Sequence, residues 1–257
     1  MADVGETFAQ QSTESDDPAD PPFSFADIAR RYDALNRLMS LGRDHHWRRI
    51  AAEAIGVPAA GRVLDVGVGT GDMALALVHR WPGSTVVGVD STVEMMRVGQ
   101  RRPDAEKVRW TQGDALHLPF PNATFDAVVS VFLLRNVADV PGVLAEQRRV
   151  VRCPEPACPE RGRRIEGRLG GRVVCLEMTW PRTPGLRTLF RFYFATLMPL
   201  ITGMLSGQPA AYRYLPRSVE RFLTPEELKA TMEHVGLQNV RYRMLALGTV
   251  ALHVGER

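Results

Sequence analysis

Cysteine is scarce in this chain, which has only Cys153, Cys158 and Cys175 among its 257 residues. Three thiols exclude a small scaffold held together by disulfide bonds. A structural zinc site needs about four Cys or His ligands at regular spacing, and the Cys153–Cys158 pair has no matching second pair. We therefore expect neither a disulfide framework nor a bound metal.

An excess of one charge is also missing, because 32 Lys and Arg residues stand against 29 Asp and Glu residues. The net charge of +3 is too small to indicate binding to nucleic acid. Apolar residues make up 45% of the chain and charged residues 24%, as in ordinary globular domains. This balance excludes a mostly disordered, collagen-like or coiled-coil protein, and the length suits one large domain.

Long apolar runs are absent as well. Residues 192–212 carry no charged side chain, but their densest part, 192–206, is shorter than the roughly 20 residues of a spanning helix. Pro199 and Gly203 also interrupt it. Three interpretations stay open for this stretch: an apolar lid, a pair of buried helices, or a surface that rests on a membrane.

Two polar segments depart from the globular pattern. Residues 1–22 are rich in Asp, Glu, Ser, Gln and Pro and predict a disordered tail. They contain no apolar signal-peptide core, so a cytoplasmic protein is expected. Residues 152–170 are rich in Arg, Pro and Glu and predict an exposed loop insertion. We expect the folded domain to occupy residues 23–257.

Helical spacing marks residues 23–60, which predict an N-terminal helical lid. The recurring apolar positions are Ile28, Tyr32, Leu35, Leu38 and Leu41, and a second helix follows from Trp47. Beyond residue 60, five short apolar strands alternate with helices and begin near residues 62, 85, 108, 125 and 171. Such alternation predicts an α/β fold, a parallel sheet with helices on both faces. A final hairpin is expected over residues 240–245 and 249–254.

A glycine-rich turn follows the first of these strands, in the sequence Asp65-Val-Gly67-Val-Gly69-Thr-Gly71-Asp72. Glycine suits a sharp turn at which a ligand approaches the backbone closely. Asp90 ends the next strand, where a carboxylate accepts hydrogen bonds from ribose hydroxyls. A dinucleotide motif would require Gly or Ala at position 72, and the acid found there repels a pyrophosphate. The pattern favours an adenosine ligand with a cationic rather than a phosphorylated tail.

With these motifs the chain resembles the class I S-adenosylmethionine-dependent methyltransferases. The resemblance implies a Rossmann-like seven-stranded sheet whose last strand is antiparallel, with S-adenosylmethionine as methyl donor. It implies contacts of the glycine turn with the methionine and adenosine portions, of Asp90 with the ribose, and of residues 113–115 with the adenine. The cofactor-binding residues expected on this basis are Asp65, Gly67, Gly69, Thr70, Gly71, Asp90, Asp114 and Ala115.

Four further blocks resemble the menaquinone/ubiquinone-biosynthesis C-methyltransferases, over roughly residues 24–151 and 171–255. They are Ile28–Asn36 with Trp47-Arg-Arg49, Leu118-Pro-Phe-Pro121, Leu134-Arg-Asn-Val-Ala-Asp139, and Ala211–Pro216 with the ending 248–255. Two departures stand out. Val131-Phe-Leu133 replaces the Ser-Phe-Gly step usual in the subfamily, and residues 152–170 replace a short turn.

Membership of this subfamily implies methyl transfer to a ring carbon of a demethylated prenyl quinol, with demethylmenaquinol as the first choice and the benzoquinol of the ubiquinone pathway as an alternative. Arg135 and Asn136 are the candidate catalytic residues, because Arg135 can stabilise a developing phenolate. Tyr32 is a candidate hydrogen-bond partner in the lid. Segment 183–215 would lie on the substrate side, and its flanking arginines favour peripheral contact with the inner face of the plasma membrane.

Each of these assignments has a structural alternative. Arg135 would then form only an ion pair with Asp139, four residues on. Tyr32 would belong to the core, and the candidate proton acceptors His117 and His253 would be structural.

Two other functions also stay open. One is methylation of a different small apolar or phenolic acceptor, and the other is an inactive, cofactor-binding subunit of a quinone-synthesis assembly. A nucleic-acid methyltransferase is disfavoured because the base-flipping motif is absent. The oligomeric state stays open, with a homodimer as one option.

Overall fold

The computed structural model describes residues 33, 36–58, 60–153, 170–193 and 218–257. The tail 1–22, most of the insertion 152–170 and most of segment 183–215 lie outside these residues, as does Tyr32. The predictions made for them are not tested by the structure.

The described residues include seven strands and six helices in the alternating order that the sequence predicts. The strands are β1 (Arg62–Val66), β2 (Thr85–Asp90), β3 (Val108–Gln112), β4 (Ala127–Val131), β5 (Arg172–Met178), β6 (Gln238–Leu245) and β7 (Val250–Glu256). The helices are α1 (Asp44–Ile55), α2 (Asp72–Arg80), α3 (Val93–Gly99), α4 (Val140–Val150), α5 (Pro184–Phe192) and α6 (Pro225–His234).

All seven strands belong to one sheet in the order β3-β2-β1-β4-β5-β7-β6. Strands β1 to β5 are mutually parallel, whereas β7 runs antiparallel to both β5 and β6. The seven-stranded sheet with an antiparallel last strand is therefore confirmed. The chain moves outward in one direction from β1 to β3 and in the other from β4 to β5. A crevice opens at the carboxyl ends of the strands where this direction switches.

Two apolar layers cover the sheet because neighbouring strand residues point to opposite faces. In β1, Val63 packs in the layer that contains Trp47 and Ile55 of α1. The next residue, Leu64, packs in the layer formed with α4 and α6. The parallel strands are thus buried on both sides, which agrees with their nearly continuous apolar sequence.

Local signals determine where several helices begin. Thr224 caps α6 by accepting a hydrogen bond from the Glu227 amide at 3.3 Å, and the Glu227 carboxylate accepts one from the Thr224 amide at 2.8 Å. Pro225 occupies the first helical position, as predicted. Asp139 caps α4 through the Gly142 amide at 2.8 Å.

The prediction that Leu41 belongs to the helix before it is wrong. Residues 36–39 are helical, but Leu41 lies in the following turn with φ of 52° and is exposed. Backbone hydrogen bonds from the Leu41 and Gly42 amides to Leu38 and Arg37 close this turn. A capping turn after a helix commonly adopts the left-handed conformation, so apolar spacing alone overestimates the helix by a turn.

Candidate active site

A cavity of about 310 Å³ lies at the carboxyl ends of β1, β2, β3 and β4. Its walls come from the loops that follow these four strands: Gly67 and Gly69 after β1, Asp90–Thr92 after β2, Gly113–Ala115 after β3, and Val131–Leu133, Asn136 and Val137 after β4. Met95 of α3 also lines it. The size falls within the range of small-molecule sites, and the position is the one at which open α/β sheets bind ligands.

The glycine turn after β1 has the backbone conformation that its sequence predicts. Gly67, Gly69 and Gly71 have φ of 73°, 53° and 85°, a region that side chains disfavour. Gly67 and Gly69 lie in the cavity wall, whereas Thr70 and Gly71 do not line the cavity. A Cβ atom on Gly71 would come within 2.5 Å of the Trp110 ring, so close packing also requires this glycine.

Asp90 joins two of the cavity walls. One carboxylate oxygen accepts a hydrogen bond from the Gly69 amide and the other accepts one from the Thr92 amide, both at 2.8 Å. These contacts fix the carboxylate at the end of β2. Each oxygen retains a lone pair for a further donor such as a ribose hydroxyl.

Residues after β3 form another part of the cavity wall. Asp114 accepts a hydrogen bond from the Leu116 amide at 2.9 Å, which, with a contact to His117, lowers the pKa of its carboxyl group. Ala115 lies beside it in the wall. His117 is exposed and pairs only with Asp114, at 3.2 Å, in the described part of the chain. The role of His117 as a proton acceptor or as a structural residue stays a prediction.

Asp65 lies buried beneath the glycine turn. Its side chain is almost fully enclosed, and one carboxylate oxygen has no hydrogen-bond partner among the described residues. Burial raises the pKa of this carboxyl group to about 8, against the opposing effect of the nearby Arg48 guanidinium. A buried carboxyl group with one unpartnered oxygen suits a cationic ligand group, such as the amino group of a bound amino acid, which would favour its ionised form.

A cluster of ion pairs behind the turn was not predicted. Arg48 lies 2.7 Å from Asp44 and 3.6 Å from Asp72, and Arg102 lies 2.7 Å from Asp72 and 3.5 Å from Asp33. Burial raises the pKa of the Asp72 carboxyl group, but the two arginines outweigh this effect and hold it below its usual value. The negative charge of Asp72 is therefore balanced by two arginines of the protein itself.

Thr70 belongs to the same cluster. Its hydroxyl donates a hydrogen bond to Asp33 at 2.5 Å, and its carbonyl accepts one from Arg102 at 3.0 Å. Asp33 directly follows Tyr32, which lies outside the described residues. The N-terminal segment is thus connected to the back of the glycine turn, and Thr70 has a structural partner that the sequence did not indicate.

Arg135 is paired with a residue that sequence reasoning missed. Its guanidinium lies 3.1 Å from the Glu177 carboxylate and stacks over the Phe132 ring at 5.3 Å. The alternative pairing with Asp139 is wrong, because the Asp139 side chain caps α4. An acid within the apolar strand Val173-Val-Cys-Leu-Glu177 was the available signal, since buried acids require a partner.

The two candidate catalytic residues occupy different places. Asn136 lines the cavity and donates a hydrogen bond to the Phe132 carbonyl at 3.0 Å. Arg135 is buried behind the wall, with 8% of its side chain exposed. Val131 and Leu133, the two departures from the subfamily pattern, both face the cavity. His253 is buried in β7 against the Pro225 carbonyl at 2.9 Å, and burial lowers its pKa to about 4.

The fold and this site together define a class I S-adenosylmethionine-dependent methyltransferase. The chain belongs to the ubiE/COQ5 methyltransferase family, whose model matches residues 23–257. It is 43% identical over 235 residues to the demethylmenaquinone methyltransferase of Thermus thermophilus. The matched region covers 91% of this chain and 99% of that protein. It is 38% identical over 238 residues to the ubiquinone/menaquinone biosynthesis C-methyltransferase UbiE of Geotalea uraniireducens, covering 91% and 94%.

Solved structures support the same fold at low sequence identity. A SAM-dependent methyltransferase of Thermotoga maritima superposes with a TM-score of 0.57 at 18% identity, covering 91% of this chain and 99% of that one. Phosphoethanolamine N-methyltransferase 2 of Haemonchus contortus superposes with a TM-score of 0.60 at 14% identity, covering 91% and 60%. The fold class and the sequence resemblance to this family are therefore confirmed.

Proposed function

We propose that this enzyme transfers a methyl group from S-adenosylmethionine to a ring carbon of a demethylated prenyl quinol, with demethylmenaquinol as the preferred acceptor. One observation carries the proposal. A single cavity is lined both by Asp90 with the glycine turn and by Asn136 of the Leu134-Arg-Asn motif. The chain that forms this cavity belongs to the ubiE/COQ5 family. The names of the relatives from Thermus and Geotalea support this acceptor class.

The residues of the cavity fit S-adenosylmethionine. Asp90 would accept hydrogen bonds from the ribose, residues 113–115 would border the adenine, and Asp65 would face the amino group beneath Gly67. When bound, S-adenosylmethionine supplies an electrophilic methyl group on a sulfonium centre. Within the described part of the chain, a Cβ atom on Gly69 would meet only Met95, at 3.5 Å, so the backbone at this glycine is open to a ligand. We assign no role to a metal.

The acceptor side would be formed by Asn136, Val131 and Leu133. A hydroquinol carbon becomes a stronger nucleophile when a phenolic proton is lost, and the site must stabilise the resulting negative charge. The Arg135 guanidinium supplies positive charge from behind the wall and has no acceptor atom for a proton, so a water or a lid residue must accept it. Tyr32 is retained as the hydrogen-bond partner proposed for the lid. Apolar side chains in the wall exclude water from the reacting centre.

The proposed setting is the cytoplasm, at the inner face of the plasma membrane, because a prenylated quinol is confined to a bilayer. Among the residues described by the structure, no helix is long and apolar enough to cross a membrane. Contact with the membrane would therefore be peripheral as far as these residues are concerned. We assign no nucleic-acid partner.

A second candidate function is methylation of a different small phenolic acceptor. The observation that favours it is Leu133, whose side chain fills the space above Gly67 where the subfamily usually has glycine. A bulkier wall changes the shape of the acceptor site. The two candidates differ only in the acceptor, so an acceptor panel separates them.

Methyl transfer from labelled S-adenosylmethionine tests the proposal. The acceptors are reduced demethylmenaquinol, a demethylated ubiquinol precursor and simple phenols, each supplied in detergent. We expect the naphthoquinol to be methylated, with loss of activity in Asp90→Ala and Arg135→Ala and full activity in the surface control Lys229→Ala. Binding of S-adenosylmethionine without turnover on any acceptor would overturn the proposal and favour an inactive subunit.

A further inference from the structure

Phe132 has a backbone conformation that a residue with a Cβ atom seldom adopts. Its φ of 58° lies in the left-handed region, directly after β4 in the cavity wall. The Phe132 amide donates a hydrogen bond to the Leu176 carbonyl of β5 at 2.9 Å, and the Phe132 carbonyl accepts one from the Asn136 side chain at 3.0 Å. Backbone strain of this kind persists only where the surrounding structure enforces it, and it is concentrated at functional sites. The conformation brings the Phe132 ring into contact with two arginines.

The guanidinium groups that contact this ring are both buried. The guanidinium carbon of Arg135 lies 5.3 Å from the centroid of the Phe132 ring, and that of Arg48 lies 5.6 Å from it. The Trp47 ring meets Phe132 edge-on, with 6.4 Å between the ring centroids. Only 7% of the Arg48 side chain and 8% of the Arg135 side chain are exposed. Because the attraction between a cation and an aromatic face is stronger where water is excluded, the ring holds both arginines in place.

Both guanidinium groups lack a hydrogen bond at the same atom. The buried Nε atoms of Arg48 and Arg135 have no hydrogen-bond partner among the residues that the structure describes. A buried polar group without a partner costs free energy. The nearby electron-rich face of the Phe132 ring is a favourable contact for each cation and offsets part of this cost. The ring thus stabilises both arginines in their buried positions.

The two arginines belong to different parts of the site. Arg48 pairs with Asp72 at the end of the glycine turn, whereas Arg135 pairs with Glu177 behind the wall that follows β4. In the described ranges no ion pair joins these two groups, and the Phe132 ring contacts one arginine of each. Phe132 therefore connects the cofactor side of the cavity with the acceptor side.

We propose that Phe132 is a positioning residue for methyl transfer, whose ring fixes the Arg135 guanidinium relative to the glycine turn by contacting Arg135 and Arg48 together. This inference rests on the proposed function, in which Arg135 stabilises the negative charge that develops on the acceptor. A displacement of about 1 Å at a reacting centre costs roughly a hundredfold in rate. Loss of the ring contact should therefore lower kcat far more than it weakens the binding of S-adenosylhomocysteine.

Stepwise fluorination of the ring tests this role with little change in its shape. Phenylalanine with one, two or three ring fluorines is incorporated at position 132 of the intact protein, because each fluorine weakens the attraction of the aromatic face for a cation. We expect kcat for methyl transfer to fall with each fluorine, by about tenfold or more for the trifluorinated ring. The Kd for S-adenosylhomocysteine should change by less than about threefold. An unchanged kcat across the series would overturn the proposal.

Phe125 provides a matched control. The Arg62 guanidinium carbon lies 5.4 Å from the centroid of the Phe125 ring, and the Phe120 ring meets it edge-on at 5.0 Å. Phe125 precedes β4, at the end of the strand away from the cavity. The same fluorination at position 125 should lower thermal stability as it does at position 132, while kcat stays at the wild-type value. An equal loss of kcat at both positions would show that general destabilisation is the cause, and the positioning role would be rejected.

Arg48→Lys tests the connection to the glycine turn, because it keeps the positive charge and removes the planar guanidinium. Combined with Phe132→Leu, it should lower kcat by no more than the larger of the two single effects, since both substitutions interrupt the same connection. Losses that multiply in the double variant would show that Arg48 and Phe132 act separately, and the connection would be rejected.

Phe132→Ala and Phe132→Gly separate the effect of the ring from that of the backbone. Both remove the ring, but glycine adopts the left-handed conformation without strain, so Phe132→Gly should be the more stable of the two. We expect similar losses of kcat in both variants. Wild-type kcat in Phe132→Gly would assign the effect to the backbone and overturn the role of the ring.

The acceptor panel keeps this inference distinguishable from the proposed function. A kcat that depends on fluorination with a simple phenol, without methylation of demethylmenaquinol, would overturn only the proposed acceptor. Methylation of demethylmenaquinol with an unchanged kcat across the fluorinated series would overturn only the positioning role. No turnover with any acceptor would overturn both.

Discussion

Glu177 accepts a hydrogen bond from the Leu134 amide at 2.6 Å and another from the Arg135 guanidinium at 3.1 Å. Each carboxylate oxygen thus holds one residue of the Leu134-Arg-Asn motif. The Glu177 side chain is buried at the end of β5, and burial raises the pKa of its carboxyl group against the opposing effect of Arg135. Glu177 is therefore a positioning residue for the cavity wall formed after β4.

Substitution of Glu177 tests this role. In Glu177→Gln the amide group can replace only one of the two acceptors, and the positive charge of Arg135 loses its counter-ion. We expect kcat to fall by about tenfold to a hundredfold while the Kd for S-adenosylhomocysteine changes by less than about threefold, because the substituted side chain does not line the cavity. A discontinuous methyl-transfer assay measures kcat, and titration calorimetry measures the Kd for S-adenosylhomocysteine.

Unfolding of the variant is the main competing explanation, because breaking a buried ion pair costs about 3–5 kcal/mol. The double variant Arg135→Ala/Glu177→Ala leaves no buried charge unpaired. It should regain much of the thermal stability lost in either single variant without regaining activity. Recovery of activity together with stability would contradict a positioning role.

Asp90 provides a second test, on the cofactor side. Its two oxygens accept hydrogen bonds from the Gly69 and Thr92 amides. In Asp90→Asn the side-chain NH2 group replaces one oxygen, so it faces one of these backbone N–H groups and cannot accept its hydrogen bond. We expect both Asp90→Asn and Asp90→Ala to weaken S-adenosylhomocysteine binding by more than about tenfold. Glu94→Gln, which neutralises an exposed acid on the adjacent helix α3, should bind normally. Wild-type affinity in Asp90→Asn would exclude a role for the carboxylate.

The close approach of Leu133 to Gly67 is the basis of a third prediction. A Cβ atom on Gly67 would come within 2.8 Å of the Leu133 side chain, at a backbone φ of 73°. Gly67→Ala should push Leu133 into the cavity and weaken S-adenosylhomocysteine binding by about tenfold or more. Leu133→Ala added to Gly67→Ala should restore part of the affinity but not the cost of the left-handed backbone. Gly185→Ala, where a Cβ atom meets nothing within 4 Å among the described residues, is the control.

Local patterns in the sequence predicted the parts of the site that local geometry determines. The glycine turn and the capping residue Thr224 depend on neighbours a few residues away, and Asp90 is marked by its place at the end of β2, although its Gly69 partner lies 21 residues away. Glu177 lies 42 residues from Arg135, and Asp33 lies 37 residues from Thr70. Such pairings depend on strand order and on the course of the N-terminal segment, which no spacing rule supplies. The roles predicted for the cofactor-binding residues remain predictions, as does that of Tyr32.

The buried carboxyl group of Asp65 predicts how stability varies with pH. Its pKa is about 8 in the folded protein and 3.8 in an unfolded chain, so the folded state binds an additional proton between these values. The free energy of unfolding must therefore decrease as pH rises through this range, by at most about 1.4 kcal/mol per pH unit from this group. His253 contributes with the opposite sign, because its pKa falls from 6.5 to about 4 and the unfolded state then binds the additional proton.

Asp65→Asn separates the contribution of Asp65 from the others, because His253, Asp33 and Glu177 titrate in both proteins. We expect the difference in unfolding free energy between Asp65→Asn and the wild type to grow in favour of the variant from about pH 5 to pH 8. Urea unfolding of the ligand-free proteins measures it. A constant difference across this range would show that Asp65 is ionised throughout, with Arg48 as a sufficient counter-ion. That result would reject the raised pKa of this carboxyl group.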